Sequence, residues 1–355
     1  MIEFLKNMLA GFQQRALNVS IGHPKDPVFA NWFGYAGRTA SGVNITAQNA
    51  HQVGTVYACV KRICEDTSGL PWDVYLVRGN ESKVLEEHPL RVVLKQRPNR
   101  YQDAFKFREM MTEHVALRGN AYARIISSGN IITALEPLHP DRVNVRWNQA
   151  QNDIRYEVTN PNGTTDILFT DEVFHLRGFG GDLLKGLNPI EYHREAMGLA
   201  KAAEEYGART YGNGANPSGV LVHPQTLSPE ARKRLKQSWA ETYEGTHNSA
   251  KTLVLEEGLS FQKISMTAED TQFIESRKFQ VAEIARIFGI PPHKVGDLER
   301  ATFSNIEAQN IDYVQNTILP WCRRWEEAIS RQLLTQPTVQ VRFNLNGLLR
   351  GDMKA

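Results

Sequence analysis

Apolar residues recur at three- and four-residue spacing over several long stretches of this chain, and at every second position over shorter ones. Val53, Tyr57, Val60 and Ile63 predict a helix from Thr46 that Ser68-Gly69-Leu70-Pro71 ends. WDVYLV, residues 72–77, alternates like a half-buried strand. A second helix from Asp103 carries Phe107, Met110, His114 and Leu117 on one face and stops at Gly119-Asn120. On that apolar stripe His114 reads as a core histidine rather than a ligand. AYARII, RVNVRW, IRYEV and DILF read as strands, with Asn160-Pro161-Asn162-Gly163 a hairpin turn before the last. Residues 46–187 thus predict one α+β domain.

The pattern then changes. Pro189 to Tyr211 reads as a helix with Ala196, Ala200, Ala203 and Gly207 on one side and charged residues over much of the rest. GNGANPSG, residues 212–219, breaks it; it lacks the GxxxxGK[ST] spacing of a phosphate loop and reads as a hinge. VLVHP is a short strand, and Ser228-Pro229-Glu230 opens a helix with Leu235, Trp239 and Tyr243 on one side. Arg232, Lys233, Arg234 and Lys236 fall on its exposed side. KTLVLEEG and LSFQKIS add two strands, so 215–266 predicts a small β-α-β-β insert.

Thr267 starts another helix that runs to Gly289, with Ile274, Val281, Ala285 and Phe288 in one stripe. Next comes FGIPPHKVGDLERATFSNIEAQ, 288–309, where prolines, glycine and charges leave little to bury. Ser304 and Glu307 form a capping box for a long helix bearing Ile311, Val314, Ile318, Trp321 and Trp325. Pro320 predicts a kink within it.

Composition narrows the function classes. Hydrophobic residues make up 41% and charged residues 23%, which is ordinary globular material. A net charge of +2 is too balanced for a protein that grips DNA through many phosphates. The three cysteines, Cys59, Cys64 and Cys322, match neither a metal pair nor a disulfide framework. No apolar run reaches the length of a membrane span, and MIEFLKNMLAGFQQR lacks a signal-peptide core. Histidines show no HExxH or metal-ligand spacing, and no GxSxG elbow occurs. Adjacent acidic pairs such as Glu65-Asp66 point apart on a helix. Neither a catalytic residue, a metal site nor a cofactor is expected, and the weight moves to a structural or binding role.

Several stretches together resemble the portal proteins of tailed bacteriophages, in the family from long-tailed phages and prophages. They are VGTVYACVKRICEDTSGLPWDVY, LRGNAYARII, GLNPIEYHREAMGLA, ANPSGVL, IARIFGIPPHKVGDLERATFSNIEAQNIDYVQNTILPW and FNLNGLLRGD. The resemblance implies an α+β portal-type fold with an α/β wing, a two-helix stem, a β-α-β-β clip and a long kinked helix, assembled as a ring of usually twelve subunits. It implies an N-terminal arm at 1–45, wing at 46–187, stem helices at 188–214 and 267–289 and clip at 215–266. It further implies a tunnel loop at 290–303 and the long wing helix with its C-terminal segment at 304–355, the family's crown being absent or shortened. His293, Lys294, Glu299, Arg300 and Thr302 become candidates for facing DNA, and Arg232, Lys233, Arg234 and Lys236 for docking partners. The implied partners are further copies of the chain, double-stranded DNA in transit, the terminase large subunit, a head–tail connector, and capsid and scaffold proteins. No membrane is implied; the place is the portal vertex of the virion, after assembly in the host cytoplasm. A different class, a metal-dependent nucleic-acid-processing enzyme, stays open as the alternative.

Overall fold

The computed structural model describes residues 39–212, 219–222, 228–230, 233–234, 260–263, 268–298 and 303–345. The chain divides into two compact units, Met1–Ala202 with Lys278–Ala355, and Ala203–Arg277.

In the first unit α1 spans Gly54–Gly69, starting later than the Thr46 expected because a short 3-10 turn, Ala50–Gln52, precedes it. Its buried face is Val56, Cys59, Val60, Ile63 and Cys64, while Tyr57 is 51% exposed. Val53, Val60 and Ile63 are thus buried as expected and Tyr57 alone is not, while Cys59 and Cys64 join the buried face as α1 packs on α3 (Ala104–Arg118). That second helix begins where the sequence placed it, the Asp103 carboxylate accepting the Lys106 N–H at 2.8 Å. It ends at Gly119, whose φ of 75° is the left-handed conformation a helix C-terminus favours in glycine. His114 is buried as expected, beside Met111 rather than Met110.

Strands β1 (Trp72–Arg78), β2 (Glu81–Val84), β3 (Asn120–Ser128), β4 (Ile131–Leu138), β5 (Val143–Asn148), β6 (Asp153–Thr159), β7 (Thr165–Leu168), β8 (Val173–Arg177) and, near the far end of the chain, β11 (Val339–Phe343) build three sheets. Their orders are β11-β1-β2, β4-β3-β8 and β5-β6-β7. β11 pairs antiparallel with β1, Trp72 opposite Phe343. A short helix α2 (Pro89–Lys95) precedes α3.

The helix expected from Pro189 is broken at His193, giving α4 (Pro189–Tyr192) and α5 (Arg194–Gly212). α6 spans Ala268–Ile287; Ile284 and Ala285 are buried, whereas Ile274, earlier on the same expected stripe, is exposed. The long helix starts at Phe303, so Ser304 lies inside its first turn and not at its cap. α7 (Phe303–Tyr313) passes into a π-helical stretch, Val314–Ile318, and then α8 (Leu319–Gln332) with Pro320 in its first turn. Where a kink was expected at Pro320, a wider turn lies just before it. Burial explains why. Val314, Ile318 and Cys322 are all buried, but at about 100° per residue eight residues overshoot two turns by roughly 80°. The wider i→i+5 turn absorbs that overshoot and keeps all three side chains in the core.

In the second unit β9 (Gly219–Val222) and β10 (Ser260–Lys263) pair antiparallel, Val222 opposite Ser260. These fall on the first and last strands expected of the insert; the strand expected at KTLVLEEG lies outside the described residues. Tyr206 and Phe273 meet edge to face at 5.3 Å.

Candidate DNA-channel loop and its supports

Gly289 closes α6 with φ 66°, and the Ile290 N–H reaches back to Ala285 O at 2.8 Å. Ile290 then drops into the core, only 3% exposed, among Ile284, Ile318 and Cys322. Pro292–Val295 forms one 3-10 turn that Gly296, φ 89°, terminates. Three amides in and just after it are answered locally: Lys294 N–H by Pro291 O at 2.9 Å, Gly296 N–H by His293 O at 3.3 Å and Asp297 N–H by Pro292 O at 3.1 Å. Val295 packs on the same core. The first half of the loop is therefore not the purely polar connector that its composition suggested.

Side chains tie this turn to the long helix. His293 Nε2 lies 3.1 Å from Asn310 Oδ1, and Lys294 Nζ sits 5.3 Å from the centre of the Tyr313 ring. Tyr313 is 2% exposed and donates its hydroxyl hydrogen to Asp66 Oδ2 at 2.9 Å, on α1. Burial, and then the Asp66 carboxylate, push the Tyr313 pKa up, so the phenol stays a donor. Asp66 is held in turn by Arg62 at 2.9 Å. Lower down, the Thr317 hydroxyl in the π turn donates to Gly289 O and joins the two roots of the loop.

Of the five residues expected to face DNA, His293 and Lys294 are thus half-buried against α7; Glu299, Arg300 and Thr302 lie outside the described residues. Of the four expected to dock partners, Lys233 and Arg234 are helical and exposed, whereas Arg232 and Lys236 lie outside the described residues.

A second support escaped the sequence reading. Asn120, the first residue of β3, is buried, and its Nδ2 faces Gly186 O at 3.0 Å and Arg118 O at 3.3 Å. Its Oδ1 accepts the Gly186 N–H at 2.8 Å. Those contacts fix which way the amide points, so His175 Nε2, 3.0 Å from Oδ1, must carry the hydrogen. Its Nδ1 then accepts from the Tyr156 hydroxyl at 3.2 Å. Backbone closeness reinforces the joint: a Cβ on Gly119 would fall 1.9 Å from Leu187 O. This network fastens β3 to the segment before α4, whose cap Asn188 accepts from the Ile190 and Glu191 amides. The only hint in the sequence is the density of glycine in LRGNAY and FGGDLLKGLN.

Little in this arrangement is nucleophilic. Cys59 and Cys322 are buried, which raises both thiol pKa values to about 12. Among the described residues no three His, Cys, Asp or Glu side chains converge as metal ligands, and no helix is long and apolar enough to cross a membrane.

Comparison with known proteins bears on the whole chain. The family model described as phage portal protein matches residues 54–355. The portal protein of Enterobacteria phage HK97 is 35% identical over 352 residues, covering 95% of this chain and 80% of that relative. The probable portal protein of Streptomyces phage phiC31 is 32% identical over 349 residues, covering 93% and 74%. In fold, the chain is similar to one from the virion of a native gene transfer agent particle, with TM-score 0.65 and 23% identity over 92% of this chain and 91% of that one.

Proposed function

The chain belongs to the phage portal protein family, and from that premise we propose that it assembles into a ring at one vertex of a capsid, through which double-stranded DNA is packaged and ejected. The family match over residues 54–355 carries the reading. In this reading residues 46–187 and the helix from 304 form the wing, 188–214 and 267–289 the stem, 215–266 the clip, and 290–303 the loop facing the duplex. The exposed Lys233 and Arg234 suit a docking surface on the clip for the terminase large subunit and then a head–tail connector. The outer parts of the ring meet capsid and scaffold proteins.

Charge balance supports a passage rather than a grip. A bore lined only with cations would add a salt-dependent hold at each phosphate, whereas the mixed charge of GDLERAT, with Glu299 and Arg300 side by side before Thr302, guides a moving duplex without stopping it. No observation favours the metal-dependent enzyme as a second reading. The test replaces residues 297–302 by a Gly/Ser linker and measures assembly and DNA retention separately. The expected result is intact rings with impaired packaging or retention. Rings that package and keep DNA normally would remove the loop from the mechanism.

A further inference from the structure

The turn Pro292–Val295 and the residues leading into it are tied to their own chain: Ile290 and Val295 in the core, His293 on Asn310, Lys294 over Tyr313, and the hydroxyl of Thr317 on Gly289. We propose that Pro291–Gly296 is a fixed sill at the root of the channel loop, and that His293 and Lys294 are positioning residues that seat it rather than groups that meet phosphate. Asn310 and the Tyr313 ring are their seats, and the Tyr313 hydroxyl is bonded to Asp66.

The geometry has a consequence for reach. A chain tethered at Gly289 and Phe303 could extend its tip at most about 25 Å from its roots, taking roughly 3.5 Å per residue out and back. Tethered at Gly296 instead, the limit is about 12 Å. The sill therefore halves how far the loop can enter a bore. Gly296 marks the change: its φ of 89° is a conformation that side-chain-bearing residues rarely adopt. The consequence for DNA rests on the channel reading above; the sill itself does not.

Amide hydrogen exchange on the purified, intact protein tests it. The amides of Lys294, Gly296 and Asp297 should exchange at least about tenfold more slowly than in a free peptide. Asn310→Ala should raise exchange at these three positions several-fold while leaving α6 amides such as Ala285 unchanged. Tyr313→Phe keeps the ring under Lys294 and should leave the sill protected. Free-peptide rates at the three amides in the unmodified protein would overturn the proposal, as would an Asn310→Ala variant with unchanged rates. Protected amides together with normal DNA retention after replacement of 297–302 would instead sink the channel reading and leave the sill standing.

Discussion

Single side chains in this protein take the place of backbone partners, and Asn120 shows what that demands. One amide group satisfies the N–H and C=O of Gly186, the Arg118 carbonyl and the Nε2–H of His175. The neutral imidazole is required, because protonating Nδ1 would break its bond from Tyr156. Burial, and then the charges of Arg177 and Lys185, lower the His175 pKa to about 3. Burial likewise lowers His114 to about 4. Unfolded histidine takes up its proton below about 6.5, while these two resist until far lower, so the unfolded state binds more protons between those limits. Their contribution is complete above pH 6.5 and is lost as pH falls toward 3–4. The slope is up to about 1.4 kcal/mol per pH unit for each histidine. Denaturant midpoints at pH 6.5, 5.5 and 4.5 should fall accordingly, and a His175→Gln variant should show a shallower fall by about one proton. Equal slopes in the two proteins would contradict the assignment. His114 was legible as a core histidine from its stripe alone; Asn120 and His175 were not, because their partners lie in other strands and loops.

At the scale of elements, α8 closes two sheets. Gln332 gives His175 in β8 what a neighbouring strand would: its Oε1 accepts the backbone N–H at 2.6 Å and its Nε2 donates to the carbonyl at 2.9 Å. Glu326 supplies β11 with an acceptor alone. Thr338 O and Asn344 N–H turn toward β1, so by alternation Val339, Val341 and Phe343 present their amides to the opposite edge. Phe343 N–H meets Glu326 Oε1 at 2.7 Å, and Arg323 holds the other carboxylate oxygen at 2.9 Å. A strand edge with unanswered amides is a template for association. Glu326→Ala should therefore cost roughly 1–3 kcal/mol through the orphaned amide and add concentration-dependent self-association seen by sedimentation. Glu326→Gln, which keeps an acceptor, should lose less; an alanine variant as stable and as well dispersed as the parent would refute the role. Long helices such as α3 could be read from their periodicity. β8 could not, since Val173, Phe174, His175 and Leu176 are all buried and show no alternation. β11 does alternate, Val339, Val341 and Phe343, but its place beside β1 is set by the far end of the chain.

The whole molecule combines a near-neutral charge of +2 with family membership over most of its length, and the proposed conduit, which handles DNA without holding it, rests on the two together. The sequence carried the family resemblance through its IARIFGIPP…LERATFSNIE run. It did not carry the anchoring of the loop's first half, which depends on Tyr313 and Asp66 from distant parts of the chain. A ring requires two different, complementary faces on each subunit that close after a fixed number of copies. The native mass of the purified protein, with images of the same sample, tests that claim most directly. The account predicts rings of about 480 kDa, twelve copies of the 40.1 kDa chain, each with a central hole. A population that stays at 40.1 kDa across concentration and in the presence of scaffold and capsid proteins would contradict it.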